Sequence, residues 1–170
     1  MPVLHTLIAC LVLALGTIVY STSVQAQNNV ILFGRDRENI LPYRVRNSRP
    51  QAAQNFFNFY VPLPNRAIAE LRIVYPQPMA SIFHPDRLEV RNRRTGQVYA
   101  TSEVIRDEEV GSVRFVFQQT ISAQLGQELE IISSGGTNPP AGMYRVRVHG
   151  LGTESAPVFI SLGQWMVSIY

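Results

Sequence analysis

Proline, glycine and asparagine punctuate this chain about every ten residues, and the runs between them are too short for a helix to bury a face. The runs also alternate. Phe57, Phe59 and Val61 share one side of the aromatic window 56–61, which Pro62-Leu63-Pro64-Asn65 ends. Leu71, Ile73 and Tyr75 share one face, with Arg72 and Val74 on the other, up to Pro76-Gln77-Pro78. Leu88-Glu89-Val90-Arg91 alternates into the hairpin signal Asn92-Arg93-Arg94-Thr95-Gly96, from which residues 98–105 are expected to return as a strand. Past a charged turn, residues 113–117 read as a central strand. Residues 123–126 read as a turn into 129–132, and Ser133-Ser134-Gly135-Gly136 reads as a flexible lead. Asn138-Pro139-Pro140-Ala141-Gly142 is a turn feeding the clearest alternation of all. There Tyr144, Val146 and Val148 share one side, and Arg145, Arg147 and His149 the other. A period of two is the strand period, and one wet face marks a half-buried antiparallel strand. Runs at 157–160, 162–165 and 167–170 close the count at about eight or nine strands, most of about five to seven residues. The expected fold is all-β: a single-domain antiparallel β-sandwich over residues 53–170, with a small β-barrel as the alternative.

The first residues read differently. Residues 7–20 are apolar apart from Gly16 and Thr17, too few to span a bilayer, which takes about 20. Val24-Gln25-Ala26 offers the small residues of a signal-peptide cleavage site, between Ala26 and Gln27. The expectation is a leader over 1–26 and an exported chain in the periplasm, outside the cell or on the lumenal side of an internal membrane. Residues 27–52 are a lead-in with a possible edge strand at 30–33. The chain's 1 cysteine, Cys10, would leave with the leader. The mature chain then has no disulfide, no thiolate zinc site and no cysteine nucleophile. All 15 basic residues are Arg, since no Lys occurs. Schiff-base chemistry and the phosphate-loop lysine are excluded with it. A formal charge of +3, with no basic run interleaved with stacking aromatics, argues against nucleic acid.

Three places resemble a known family. They are Phe57-Asn58-Phe59-Tyr60-Val61-Pro62-Leu63-Pro64, Asn138-Pro139 with Gly142-Met143-Tyr144, and Leu162-Gly163 followed by Ile169-Tyr170. Together they are similar to a cyanobacterial family of small exported proteins, domain of unknown function 2808. The chain departs from it at Gly150-Leu151-Gly152, and at Asn65-Arg66-Ala67 after the first proline turn. The resemblance implies an extracytoplasmic compartment, a cyanobacterial source and a compact β domain. It carries no catalytic residue.

The residues that bear chemistry are few. His84-Pro85-Asp86 sets an imidazole near a carboxylate, but a triad also needs a poised nucleophile, and Ser81 has no motif around it. Asp107, Glu108 and Glu109 are the candidate calcium ligands. A calcium loop spaces its carboxylates at alternate positions, so a solvated hairpin tip is the plainer reading. Arg91, Arg93 and Arg94 form a candidate anion-binding set at a hairpin tip, and Arg145, Arg147 and Trp165 are further candidate binding residues. Arg44, Arg46 and Arg49 suggest a basic arm for an acidic partner. Glu89, Glu128 and Glu130 are expected to pair across strands with Arg114, Arg145 or Arg147. A sugar-binding or hydrolytic module would use a groove lined by Tyr60, Tyr75, Tyr99 or Trp165. An outer-membrane barrel would explain an aromatic at Tyr170, but its strands run about 9–11 residues with an apolar outer face. The favoured expectation is an exported, non-enzymatic binding or structural domain without cofactor or metal. Its partner would be an envelope protein or an anionic surface.

Overall fold

Proline sets the limits of the strands and alternation sets their faces. The computed structural model describes residues 39–122 and 127–170. The expected leader, the run at 30–33 and the turn at 123–126 lie outside the described residues. Nine strands are described: β1 (Tyr43–Val45), β2 (Asn55–Pro62), β3 (Ile68–Val74), β4 (Leu88–Asn92), β5 (Thr101–Asp107), β6 (Ser112–Ile121), β7 (Glu128–Gly136), β8 (Gly142–Leu151) and β9 (Phe159–Ile169). They form a four-stranded sheet in the order β1-β2-β7-β4 and a five-stranded sheet in the order β5-β6-β3-β8-β9. Every pair of neighbouring strands is antiparallel. The two sheets stay separate and close no barrel, so the fold is the expected β-sandwich and not its alternative.

The inward faces meet in one core. Phe57, Phe59 and Val61 of β2 are fully buried, as the alternation requires. Opposite them Val146, Val148, Trp165 and Val167 point in from β8 and β9. Phe59 is the hub: its ring centre lies 5.7 Å from Phe57, 5.3 Å from Phe83 and 4.9 Å from Trp165. Burying one such side chain contributes about 1.5–3 kcal/mol. A buried indole N–H needs an acceptor, and Trp165 Nε1 donates across the sandwich to the Tyr60 carbonyl at 3.2 Å.

Several expectations change. Residues 98–105 do not return as one strand beside β4. Val98 makes a single bridge to Arg91, and from Thr101 the chain joins the other sheet as β5. Ser133-Ser134-Gly135-Gly136 is no flexible lead; it is the end of β7, paired with β2. The residues there are small because the irregular crossing after β3 lies on them. Ser133 Oγ donates to the Ile82 carbonyl at 2.5 Å, and a Cβ on Gly136 would sit 2.9 Å from Ile82 Cδ1. β6, β8 and β9 run 10, 10 and 11 residues, longer than expected. β9 unites three runs because its irregularity is a bulge, not a turn. Gly163 takes φ +138° there, where a side chain would meet Leu41 and the Asn39 carbonyl. Part of the lead-in also belongs to the sandwich. Leu41 is 8% exposed in the core, its N–H donates to the Gln164 carbonyl at 2.8 Å, and β1 forms the edge beside β2. The sandwich therefore begins before residue 53.

Candidate functional site

With Phe57, Phe59 and Val61 turned inward, the strand period turns Phe56, Asn58 and Tyr60 outward on the four-stranded sheet. The register then sets their neighbours. Arg44 of β1 stands opposite Asn58, Glu130 of β7 opposite Tyr60, and Arg91 of β4 opposite Glu130. Together with Arg46 these side chains line an open groove of about 490 Å³.

The acid in this groove is already neutralised. Glu130 is only 6% exposed. Arg91 Nε donates to it at 2.6 Å and Asn58 Nδ2 at 2.7 Å. Burial alone would push the Glu130 carboxyl up. The bonds from Arg91 and Asn58, with the charges of Arg91 and Arg93, outweigh that and hold it below the usual carboxylate range. On the rim Arg93 pairs with Glu128, and its guanidinium lies 4.0 Å from the centre of the Tyr60 ring. Arg46 stands 5.3 Å over Phe56. Neither Arg44 nor Arg46 forms an ion pair among the described residues. The groove thus presents two uncompensated guanidinium groups beside aromatic faces, a surface suited to anions.

The sequence candidates divide between the two outer faces. Arg91 enters the groove and Arg93 its rim, both bound to acids, while Arg94 is exposed in the turn beyond β4. Glu130 therefore pairs with Arg91 of β4 and Glu128 with Arg93 in the turn just beyond it, not with Arg114, Arg145 or Arg147, which lie on the other sheet. Arg114 pairs with Glu70 at 3.1 Å. Arg145 and Arg147 border a smaller hollow of about 240 Å³ with Ser161 and Gln164. Trp165 belongs to neither face. It is fully buried on the inward side of β9, so it cannot meet a ligand. Of the other aromatic candidates Tyr60 lines the groove, whereas Tyr75 is core and Tyr99 packs edge-on against Phe117. Asp107, Glu108 and Glu109 are not gathered for a metal. Asp107 Oδ1 accepts the N–H groups of Glu109 and Val110, closing the turn, and Glu108 reaches Arg106 at 3.4 Å. Among the described residues no group of three acids, histidines or cysteines is placed to hold a metal. His84 Nδ1 is 3.6 Å from Asp86, and Ser81 Oγ is occupied accepting the Thr137 N–H. Asn58 and Glu130 were not anticipated as groove residues; the outward phase of β2 was the signal for the first.

The chain is similar to the bacterial hydrophobin BslA, with a TM-score of 0.48 and 14% identity over 77% of this chain and 92% of that one. It is also similar to the collagen-binding domain of a Staphylococcus aureus adhesin, with a TM-score of 0.41 and 8% identity over 77% of this chain and 97% of that one. No curated protein matches in sequence. The model of one family matches residues 30–169, nearly the whole span that carries the sandwich and its groove, and the chain belongs to that family, described as protein of unknown function (DUF2808).

Proposed function

We propose that this domain is exported and, without catalysing a reaction, binds an anionic component of the cell envelope through the groove on its four-stranded sheet. The observation that carries the reading is the pair Arg44 and Arg46. They stand in an open groove whose one acid, Glu130, is already held by Arg91 and Asn58. Arg44 lies in β1 and Arg46 directly beyond its end, and both line the groove. The apolar run at 7–20 and the Val24-Gln25-Ala26 site support export. Two measurements test the reading. Mass spectrometry of the protein from fractionated cells should find a chain beginning at Gln27 outside the cytoplasm; an uncleaved cytosolic chain would end the export half. Purified mature protein should sediment with isolated envelope at low salt and be released as salt rises, because screening weakens exposed charge pairs. Arg44→Gln with Arg46→Gln should lose that sedimentation while keeping the fold. If the double variant sediments as well as the parent, the groove is not the binding face.

A further inference from the structure

The outer face of the five-stranded sheet brings like charges together. Register puts Arg72 of β3 directly opposite both Arg114 and His149. His149 in turn faces Ser161, and Arg147, two residues along β8, faces Gln164. Like charges opposite one another destabilise a sheet, and little on this face offsets them. β9 offers Ser161 and Gln164, neither charged. β3 offers Glu70, but Arg114 of β6 holds it at 3.1 Å, and Glu103 lies beyond β6 on β5. The buried Nε of Arg72 and Nδ1 of His149 have no hydrogen-bond partner among the described residues. Leaving such groups unpaired is costly. The Arg72 guanidinium is meanwhile steadied 4.3 Å from the centre of the Phe159 ring, so its donors are held in place before any ligand arrives.

We propose that Arg72, Arg147 and His149 form an anion site for a tetrahedral oxyanion, a sulfate or phosphate group, separate from the groove on the other sheet. A hollow bordered by Arg145, Arg147 and Ser161 opens next to the site, Ser161 being the residue opposite His149. Burial, with the charges of Arg147 and Arg72, holds His149 below the ordinary imidazole range, so the empty site keeps the ring neutral near neutral pH. A bound oxyanion reverses the balance and the ring takes up a proton. Binding therefore tightens as pH falls.

Inorganic sulfate is the probe, because its charge stays fixed across the window of about pH 5–8 in which a histidine titrates. Side-chain NMR resonances of His149, assigned through His149→Gln, are followed as sulfate is added at both ends of that window. The expected result is a saturable shift, about tenfold tighter at the acid end, equivalent to about 1.4 kcal/mol. Arg72→Gln should abolish it and the charge-matched Arg94→Gln should leave it. Repeating the titration with a sulfated polysaccharide separates the sources. Tighter binding than free sulfate points to an ester on a polymer, equal binding to the free ion, and both uphold the site. No saturable shift in the wild-type chain, or a shift that survives Arg72→Gln, overturns the proposal. Should Arg72→Gln not fold, calorimetry on the wild-type chain decides: sulfate binding without proton uptake overturns it. None of these residues belongs to the groove, so failure here leaves the envelope-binding reading standing.

Discussion

Asn55 and Asn138, each 2% exposed, hold a loop that has no sheet to join. Asn138 Nδ2 donates to the carbonyls of Asn47 and Arg49 at 2.8 and 2.7 Å, and its Oδ1 accepts from Asn55 Nδ2 at 2.6 Å. Asn55 Oδ1 accepts the Asn47 N–H at 3.0 Å. Backbone groups taken out of water must find partners, and here the partners are side chains. Asn138→Ala takes one bond each from the Asn55 amide and the Asn47 and Arg49 carbonyls; the first two still hold each other and the third keeps the Ala52 N–H, so the cost is about 0.5–1.5 kcal/mol for each bond lost. The thermal midpoint should fall clearly; a midpoint equal to that of the parent would remove the clamp from this account. Trp165 makes the second residue-scale case. Aromatic faces stack on sugars, which made it a binding candidate, yet its inward phase on β9 buries it completely. It is the chain's 1 tryptophan, so fluorescence reports on it alone. Native emission should be blue-shifted, resist acrylamide quenching and ignore added glycans, turning red only on unfolding. Quenching of the folded protein at low acrylamide would contradict the burial.

At the scale of elements, alternation was a good guide wherever one face is wet. β2, β3 and β8 were legible for that reason: Phe57, Phe59 and Val61, or Tyr144, Val146 and Val148, repeat every second residue with polar neighbours between. The pattern failed where small residues serve close approach. Serine and glycine at the end of β7 have the composition of a loop, but they are the floor on which residues 81 and 82 lie. The same holds at Gly163, which marks where the lead-in crosses β9. Gly163→Ala would force a Cβ to 2.7 Å from Leu41 Cγ and 2.8 Å from the Asn39 carbonyl, at a φ that L side chains rarely adopt. Backbone strain of this kind costs about 1–3 kcal/mol. The substitution should lower stability and speed hydrogen exchange at the Leu41 amide, which otherwise donates to Gln164. Unchanged exchange at Leu41 would show that the lead-in does not rest on that bulge. The groove was only partly legible for a related reason. Arg44 and Arg46 stood out as a basic arm and Arg91 as a hairpin tip. Nothing local says that β1 and β4 flank β2 and β7 in one sheet, because register between distant strands is set by the folded core.

For the whole molecule, two outer faces carry a titrating group each, on opposite sheets, and both make acid unfavourable. The sign follows from proton counts. Glu130 is held below the usual carboxylate range by Arg91 and Asn58 against the pull of burial. The unfolded chain therefore binds its proton first, and the stability Glu130 contributes is present above its unfolded value, about 4.3, and lost as pH falls through its folded one. His149 is held below the imidazole range by burial and by Arg147 and Arg72. Its contribution is present above about 6.5 and is lost as pH falls through its own folded value. Denaturation by urea across this range should show stability declining in two stages as acid is added, the first beginning near neutrality. His149→Gln should flatten the first stage and leave the second, while Glu130→Gln should do the reverse from a lower starting stability, since it leaves Arg91 without its partner. A single stage that neither substitution alters would mean that the acid sensitivity resides elsewhere, and that the two faces do not hold their charges as the register places them.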